Sequence, residues 1–252
     1  MLSYTTYQYI LYAWIAIGII TFLMLLRITA PYGRHTTSTW GPLINNKLAW
    51  VIMEAPVLLV LLYFVLTSLD KQTVVTWAMI GLFCFHYVNR VFIFPLRLHT
   101  RGKGMPIVIV ASAIFFNLMN GFSLGYYFKY FADYPADWFS DPRFIIGIIL
   151  FAGGLILNWK ADDVLIHLRK PNETHYVIPQ SKLFKYISCP NLFGELIEWL
   201  GFAILCWNLP AFTFLIWTAA NLIPRAISHH RWYKEKFNNY PAERKAIIPF
   251  VV

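Results

Sequence analysis

Long runs of apolar residues, separated by short polar segments, set the pattern of this chain. Each run is close to the ~20 residues that an α-helix needs to cross the hydrocarbon core of a bilayer. The pattern predicts an all-α, polytopic membrane protein with about seven transmembrane helices. They are expected at about Tyr7 to Leu26, Leu48 to Leu69, Val74 to Phe94, Met105 to Phe128, Phe144 to Trp159, Leu192 to Trp207 and Pro210 to Ile223.

The composition agrees with a membrane protein. Of the 252 residues, 58% are hydrophobic and only 13% are charged, which is more apolar surface than a water-soluble domain of this length can bury. The chain shows no internal repeat and no low-complexity linker, so we predict one transmembrane domain over residues 1–252.

Basic residues are concentrated in alternate connections, and the formal net charge is +9. Lys and Arg gather after the first, third and fifth apolar runs and in the C-terminal tail, so the positive-inside rule places the N-terminus outside and the C-terminus in the cytoplasm. Because these residues lie in short loops, we expect contacts with membrane lipid or a phosphorylated ligand and none with nucleic acid. Cys84, Cys189 and Cys206 lack Cys-x-x-Cys spacing, which predicts neither a disulfide framework nor a metal site.

Two carboxylates stand near the start of the sixth apolar run. Asn191, Glu195 and Glu198 fall at helical spacings i, i+4 and i+7, so they share one stripe of the helix. Charged side chains inside a bilayer normally face a bundle interior or a wet cavity. We therefore predict that this stripe lines a ligand pocket. The alternative is that it only joins the helix to a neighbour by buried hydrogen bonds.

The second and third runs also contain polar residues. Glu54 lies two residues before Pro56, which is expected to kink the helix beside the carboxyl group. Tyr87 lies in the sequence HYVNR; it is either part of a site with Glu54 or a tyrosine of the membrane interface.

The longest connection, residues 158–191, is rich in groups that bind phosphate and ribose. Asn158 and Asp162 stand at i and i+4 on an extension of the fifth helix, Arg169 follows on roughly the same face, and Tyr176 lies between Pro171 and Pro179. The chain has no Gly-x-Gly-x-x-Gly after a strand and no Walker motif. A dinucleotide would therefore have to bind inside a helical bundle. The tail that follows Ile223 is predicted to leave the seventh helix as an amphipathic segment.

These groups belong to a set of short motifs spread over nearly the whole chain. In order they are PYGRH from Pro31, AW followed by Glu54 and Pro56, HYVNR around Tyr87, RGKG from Arg101, Asn120 with Gly121, Asn158 with Asp162, LRKP from Leu168, Tyr176 followed by IPQ, NLFGELIEW from Asn191, HHR with Tyr233, and the ending ERKAIIPF. Their order and spacing resemble the steroid 5α-reductases, also called 3-oxo-5α-steroid 4-dehydrogenases.

That resemblance implies a bundle of seven transmembrane helices and hydride transfer from NADPH to the 4,5 double bond of a 3-oxo-Δ4 steroid. Glu54 and Tyr87 would be catalytic and hold the 3-oxo oxygen, and Trp50 would pack on the steroid. The substrate region would lie mainly in residues 1–128 and the cofactor region mainly in 158–252. The residues implied to contact NADPH are Arg34, Lys103, Asn120, Asn158, Asp162, Arg169, Tyr176, Asn191, Glu195, His229 and Tyr233.

Two positions depart from the family pattern. Met53 stands where the family usually has Gln before the Glu, and Val177 replaces a frequent Arg after the Tyr. The first change removes an amide near the ketone and the second removes a contact to phosphate.

The implied chemistry fits the residue types. Hydride addition to the β-carbon of an enone moves charge onto the carbonyl oxygen, which then needs hydrogen-bond donors. Tyr87 donates directly, and Glu54 donates in its protonated form, which burial in an apolar helix favours.

Other functions remain open at this point. They are a related membrane reductase of a sterol ring or enoyl lipid, an isoprenylcysteine-type methyltransferase that uses S-adenosylmethionine, and a non-enzymatic sterol receptor or lipid carrier. We expect a multi-pass monomer that takes a steroid or sterol-like lipid as substrate. It would reside in a bacterial inner membrane or in the endoplasmic reticulum.

Overall fold

A computed structural model describes residues 1–100, 102–169, 173 and 175–252. Arg101 of the RGKG motif and Lys170 and Pro171 of the LRKP motif lie outside the described residues. Within the described residues, seven long helices follow one another. They are α1 Tyr4–Leu25, α2 Asn46–Leu66, α3 Val74–Arg97, α4 Ile107–Tyr130, α5 Pro142–His167, α6 Pro190–Cys206 and α7 Leu209–Lys236.

The helical architecture and the number of long helices are as the apolar pattern predicted. Five of the helices, α1 to α5, are long and apolar enough to cross a membrane. The other two differ in length or polarity, because α6 has only 17 residues and the last turn of α7 carries Lys234 and Lys236.

Two predicted helix ends are wrong. The last helix was expected to end at Ile223, but α7 continues through Pro224 to Lys236, since a proline removes only one backbone hydrogen bond and the following residues still form an amphipathic helix. Helix α5 ends at His167, whose Nδ1 lies 2.9 Å from the carbonyl oxygen of Asp163. Arg169 therefore lies beyond the helix and does not share its face with Asp162.

A short antiparallel sheet, not predicted from the sequence, joins two segments of the chain. Strands β1 Leu43–Asn45 and β2 Gly104–Pro106 pair with Ile44 opposite Met105. Helix α2 begins directly after β1 and α4 begins directly after β2. The pairing therefore fixes the starts of these two helices beside each other.

The chain forms two compact units, of which the first comprises residues 1–12, 30–145 and 205–211. Helix α2 packs mainly against α4. Gly121 of α4 allows this approach, because a Cβ atom there would stand 2.8 Å from the carbonyl oxygen of Val57. At the sheet end of this pair, buried Ala49, Met53, Met105 and Val110 form an apolar core.

The second unit comprises residues 13–29, 146–204 and 212–252. Helices α5 and α6 approach closely here. A Cβ atom at Gly194 of α6 would stand 2.5 Å from the backbone nitrogen of Asn158 on α5. The C-terminal segment lies beside the start of α6, where the amide of Ser188 donates to the carbonyl oxygen of Lys245 at 2.8 Å.

Candidate functional site

The first unit places an amide beside the carboxyl group of Glu54. Glu54 is half-buried on α2, and Asn117, which is 2% exposed, approaches it from α4. The Asn117 Nδ2 donates to the carbonyl oxygen of Met53 at 2.6 Å and lies 3.4 Å from Glu54 Oε2. Asn117 was not predicted as a site residue, because nothing in the apolar pattern of α4 indicates that its partner lies on α2.

Tyr87 lies on α3, where the helix changes its hydrogen-bonding pattern. The α-helical part ends at Val88, and the next five residues, Asn89–Ile93, form a π-helical turn. Such turns are rare and are found frequently at functional sites. Tyr87 is 4% exposed, and its ring centroid lies 4.7 Å from that of Phe83. Helix α2 contacts the π-helical turn, so α2 and the polar end of α3 pack in the same unit.

Trp50 lies one helical turn before Glu54 and already has aromatic and cationic neighbours. The guanidinium of Arg90 stands 5.0 Å from the Trp50 ring centroid and 4.9 Å from that of Phe94. The Trp50 and Phe94 rings meet edge to face at 5.4 Å. One face of the Trp50 ring is therefore covered by Arg90.

Three further residues with predicted cofactor roles lie in the first unit. Arg34 is half-buried in the short helical turn Gly33–His35, and Lys103 is exposed just before β2. Asn120 on α4 is 1% exposed, and its Nδ2 donates to the carbonyl oxygen of Phe116 at 2.9 Å. Their cofactor roles stay predictions.

In the second unit, amides and carboxylates of α5 and α6 form a connected cluster. Asn158 Nδ2 donates to the carbonyl oxygen of Asn191 at 3.0 Å and lies 3.4 Å from Glu195 Oε2. Asn191 Nδ2 in turn donates to Asp162 Oδ1 at 2.9 Å. We call these four residues the amide–carboxylate cluster. Its hydrogen bonds join two helices, as the alternative interpretation of the stripe expected, and its role in ligand binding stays a prediction.

The close approach of α5 and α6 forms this cluster. Because Gly154 and Gly194 have no side chains, the two backbones come near enough for short amide side chains to bridge the helices. Asn158, Asp162 and Glu195 are each at most 9% exposed. Glu198, the third residue of the predicted stripe, is fully buried at 0% exposure.

The connection between α5 and α6 brings Arg169 to Tyr176. The guanidinium carbon lies 4.5 Å from the Tyr176 ring centroid, and the Arg169 Nη1 donates to the carbonyl oxygen of His175 at 3.4 Å. The Tyr176 ring also meets Trp232 of α7 edge to face at 4.8 Å. Arg169 and Tyr176, each implied by the resemblance to contact the dinucleotide, thus lie side by side.

On α7, the predicted residues His229 and Tyr233 adjoin a hydrogen-bonded group that the sequence analysis missed. His229 is half-buried, and Tyr233 is 2% exposed with its ring stacked on Tyr240 at 5.2 Å. Ser188 Oγ lies 2.7 Å from both His230 Nδ1 and the Tyr240 hydroxyl. Burial, and then the nearby Lys side chains, lower the pKa of His230.

Arg244 is a further residue without a role predicted from the sequence, although the ending ERKAIIPF contains it. It is 5% exposed, and its Nη2 donates to the carbonyl oxygen of Pro179 at 3.0 Å. Its Nε and Nη1 are buried and make no hydrogen bond, and the guanidinium carbon lies 5.5 Å from the ring centroid of Tyr240. A buried guanidinium normally has acceptors for its N–H groups, and an anionic ligand would supply them here.

The part of the chain that the structure describes holds no group of three or more His, Cys, Asp or Glu side chains suited to a metal ion.

The first unit has a half-buried carboxyl group beside an amide, and the second unit has the amide–carboxylate cluster and two guanidinium groups, so polar groups lie among apolar helices in both units. The family model described as 3-oxo-5-alpha-steroid 4-dehydrogenase matches residues 103–252. The chain belongs to this family.

Full-length relatives agree with that assignment. The chain is 40% identical to a steroid 5-alpha-reductase DET2 of Arabidopsis thaliana over 258 aligned residues, covering 98% of this chain and 97% of the relative. It is 38% identical to a 3-oxo-5-alpha-steroid 4-dehydrogenase 1 of Bos taurus over 241 residues, covering 94% and 93%. It is also 40% identical to a 3-oxo-5-alpha-steroid 4-dehydrogenase 2 of Sus scrofa over 225 residues, covering 87% of each chain.

Proposed function

We propose that this protein reduces the 4,5 double bond of 3-oxo-Δ4 steroids to 5α-reduced 3-oxo steroids with NADPH as reductant. The observation that carries the proposal is the similarity, over nearly the whole chain, to plant and mammalian relatives named for this activity. The polar groups within apolar helices support it, because each has a use in this reaction.

Glu54 and Tyr87 act at the substrate's ketone. A bound NADPH would supply the hydride that adds to C5, negative charge would then develop on the 3-oxo oxygen, and a proton from water or from a relay through the site would add at C4 to complete the reduction. The Tyr87 hydroxyl and the protonated Glu54 carboxyl each donate a hydrogen bond to that oxygen and stabilise the enolate-like transition state. Trp50 packs on the steroid with the ring face that Arg90 leaves uncovered.

The residues of the second unit fit a dinucleotide phosphate. Arg169, lying over Tyr176, is a cation beside an aromatic ring on which a planar base can stack. The two N–H groups of Arg244 without acceptors suit phosphate oxygens. The amide–carboxylate cluster supplies acceptors for ribose hydroxyls, and His229 and Tyr233 contribute further contacts. Arg34, Lys103 and Asn120 are also assigned to the cofactor.

The protein is proposed to act as a multi-pass membrane monomer with its N-terminus outside and its C-terminus in the cytoplasm. The five apolar helices support a membrane location, and a steroid, which partitions into lipid, would reach the protein there. The basic connections would then lie on the side where cytosolic NADPH is available.

The test is incubation of the purified protein with NADPH and several Δ4-3-ketosteroids, followed by product analysis. A 5α-reduced 3-ketosteroid is expected. In parallel, Asn191→Ala and Glu195→Ala are expected to weaken NADPH binding without weakening steroid binding. Reduction of only a sterol ring or enoyl lipid, or methyl transfer from S-adenosylmethionine, would contradict the proposal.

A further inference from the structure

Met53, the residue before the proposed acid, has no polar side-chain group, whereas the resemblance to the family implies an amide at this position. Its side chain is 4% exposed and belongs to the apolar core with Ala49, Met105 and Val110. A thioether in this setting donates no hydrogen bond. If the carboxyl group of Glu54 requires an amide neighbour, another element must provide it.

Asn117 provides an amide from α4. Its 2.6 Å contact with the Met53 carbonyl oxygen fixes the orientation of the amide, because a carbonyl oxygen only accepts and the atom facing it must be Nδ2. The same nitrogen lies 3.4 Å from Glu54 Oε2. A backbone carbonyl oxygen has two lone pairs, so the Met53 carbonyl can accept from Asn117 in addition to its helical donor.

The other end of the same amide is left without a partner. Asn117 Oδ1 is buried and makes no hydrogen bond, which is unfavourable for a polar atom removed from water. Turning the amide over would place Oδ1 against the Met53 carbonyl oxygen and remove the donor from Glu54. The protein keeps the orientation that serves the carboxyl group.

We propose that Asn117 is a positioning residue for Glu54 and replaces the amide that Met53 cannot supply. Because Oε2 faces the Asn117 donor, the proton of the neutral carboxyl group resides on Oε1. The hydrogen bond to the substrate's 3-oxo oxygen is then donated from Oε1. This inference rests on the proposed steroid reduction and adds to it the residue that sets which carboxyl oxygen donates.

The 3.4 Å separation is long for a hydrogen bond, and it is expected to shorten during the reaction. As Glu54 shares its proton with the developing enolate, negative charge appears on the carboxyl group. Hydrogen bonds to a charged acceptor are shorter and stronger than those to a neutral one. Asn117 should therefore affect turnover more than substrate binding.

The principal variant is Asn117→Leu, which keeps the size of the side chain and removes its amide. We expect kcat for a Δ4-3-ketosteroid to fall about 10²-fold, as for a catalytic group displaced by about 1 Å. The KM and the affinity for NADPH should change little. The matched control is Asn221→Leu, because the Asn221 Nδ2 also donates to a helix carbonyl, that of Trp217 at 2.9 Å, and has no assigned role. Equal losses of kcat in the two variants would overturn the inference.

Two further variants separate positioning from folding. Asn117→Asp should recover kcat as the pH falls, because an aspartic acid can donate a hydrogen bond only when protonated. Adding Met53→Gln to Asn117→Leu should restore part of the lost kcat by returning an amide to the position the family uses. A pH profile of Asn117→Asp parallel to that of the wild type, or no recovery in the double variant, would contradict the positioning role.

An infrared measurement tests the contact without turnover. The carboxyl C=O band that disappears in Glu54→Gln should shift in Asn117→Leu and stay unchanged in Asn221→Leu. An unshifted band in Asn117→Leu overturns the inference. If the wild type reduces no ketosteroid, the proposed function fails, and the band shift still decides whether Asn117 acts on Glu54.

Discussion

Gly194→Ala tests the link between helix packing and the amide–carboxylate cluster. The new Cβ atom would stand 2.5 Å from the backbone nitrogen of Asn158 and 2.7 Å from the carbonyl oxygen of Gly154. Ordinary contacts are about 3.5 Å or longer, so α5 and α6 must separate by about 1 Å. The bond from Asn158 Nδ2 to the Asn191 carbonyl oxygen, now 3.0 Å, would then be lost.

The magnitude follows from three effects. Overpacking costs about 1–3 kcal/mol, and the lost hydrogen bond costs about 1 kcal/mol. The better helix propensity of alanine returns about 1 kcal/mol. We therefore expect a net destabilisation of about 1–3 kcal/mol, and about a tenfold weaker NADPH affinity if displacing Asn158 and Asn191 removes about 1.4 kcal/mol of binding free energy.

The assay is calorimetric titration of the detergent-solubilised protein with NADPH, alongside thermal unfolding. Gly153→Ala is the matched control, since a Cβ atom at Gly153 would meet nothing within 4 Å. The control should bind NADPH as the wild type does. An unchanged NADPH affinity in Gly194→Ala would refute the reasoning that this helix contact shapes the cofactor site.

Three other predictions address separate groups. Glu54→Gln or Tyr87→Phe should lower ketosteroid turnover about 10²-fold with NADPH binding retained, and near wild-type rates in both would defeat the assigned roles. Arg244→Gln should weaken NADPH binding about tenfold or more, whereas Lys245→Gln, which changes the exposed neighbouring residue, should leave NADPH binding unchanged. Equal NADPH affinities of the two variants would exclude a contact between Arg244 and the phosphate. Burial lowers the pKa of His230 from 6.5, so the unfolded chain takes up this proton more readily and stability should fall as the pH drops below about 6.5. Thermal unfolding above and below that pH should show a smaller decline in His230→Gln, and an identical decline would contradict it.

The helices were predictable from the sequence because membrane length and apolar composition leave few other structures for such runs. The π-helical turn after Tyr87 was not predictable from the sequence, because such a turn changes only which carbonyl oxygen each N–H group bonds to and has no characteristic composition. The strands Leu43–Asn45 and Gly104–Pro106 were also missed, because three residues are too few for an alternating pattern.

For the site, residue spacing predicted which side chains lie close together on one helix. It could not predict contacts between helices that are far apart in the sequence. Asn158 and Asp162, which stand at i and i+4 on α5, each share a hydrogen bond with Asn191 of α6. Arg169 was placed on the wrong element because the end of α5 was not recognised. The Asn117 contact joins two helices far apart in sequence, and Arg244 is buried by the C-terminal segment in a way that a charged tail does not suggest.

The most direct test of the account uses NADPH that carries deuterium at its transferable position. With a Δ4-3-ketosteroid, the purified protein should form a 5α-reduced 3-ketosteroid with the deuterium at C5, and Glu54→Gln should form it at a strongly reduced rate. The account would be contradicted if the protein consumed no NADPH with any Δ4-3-ketosteroid, or if the deuterium entered the steroid elsewhere.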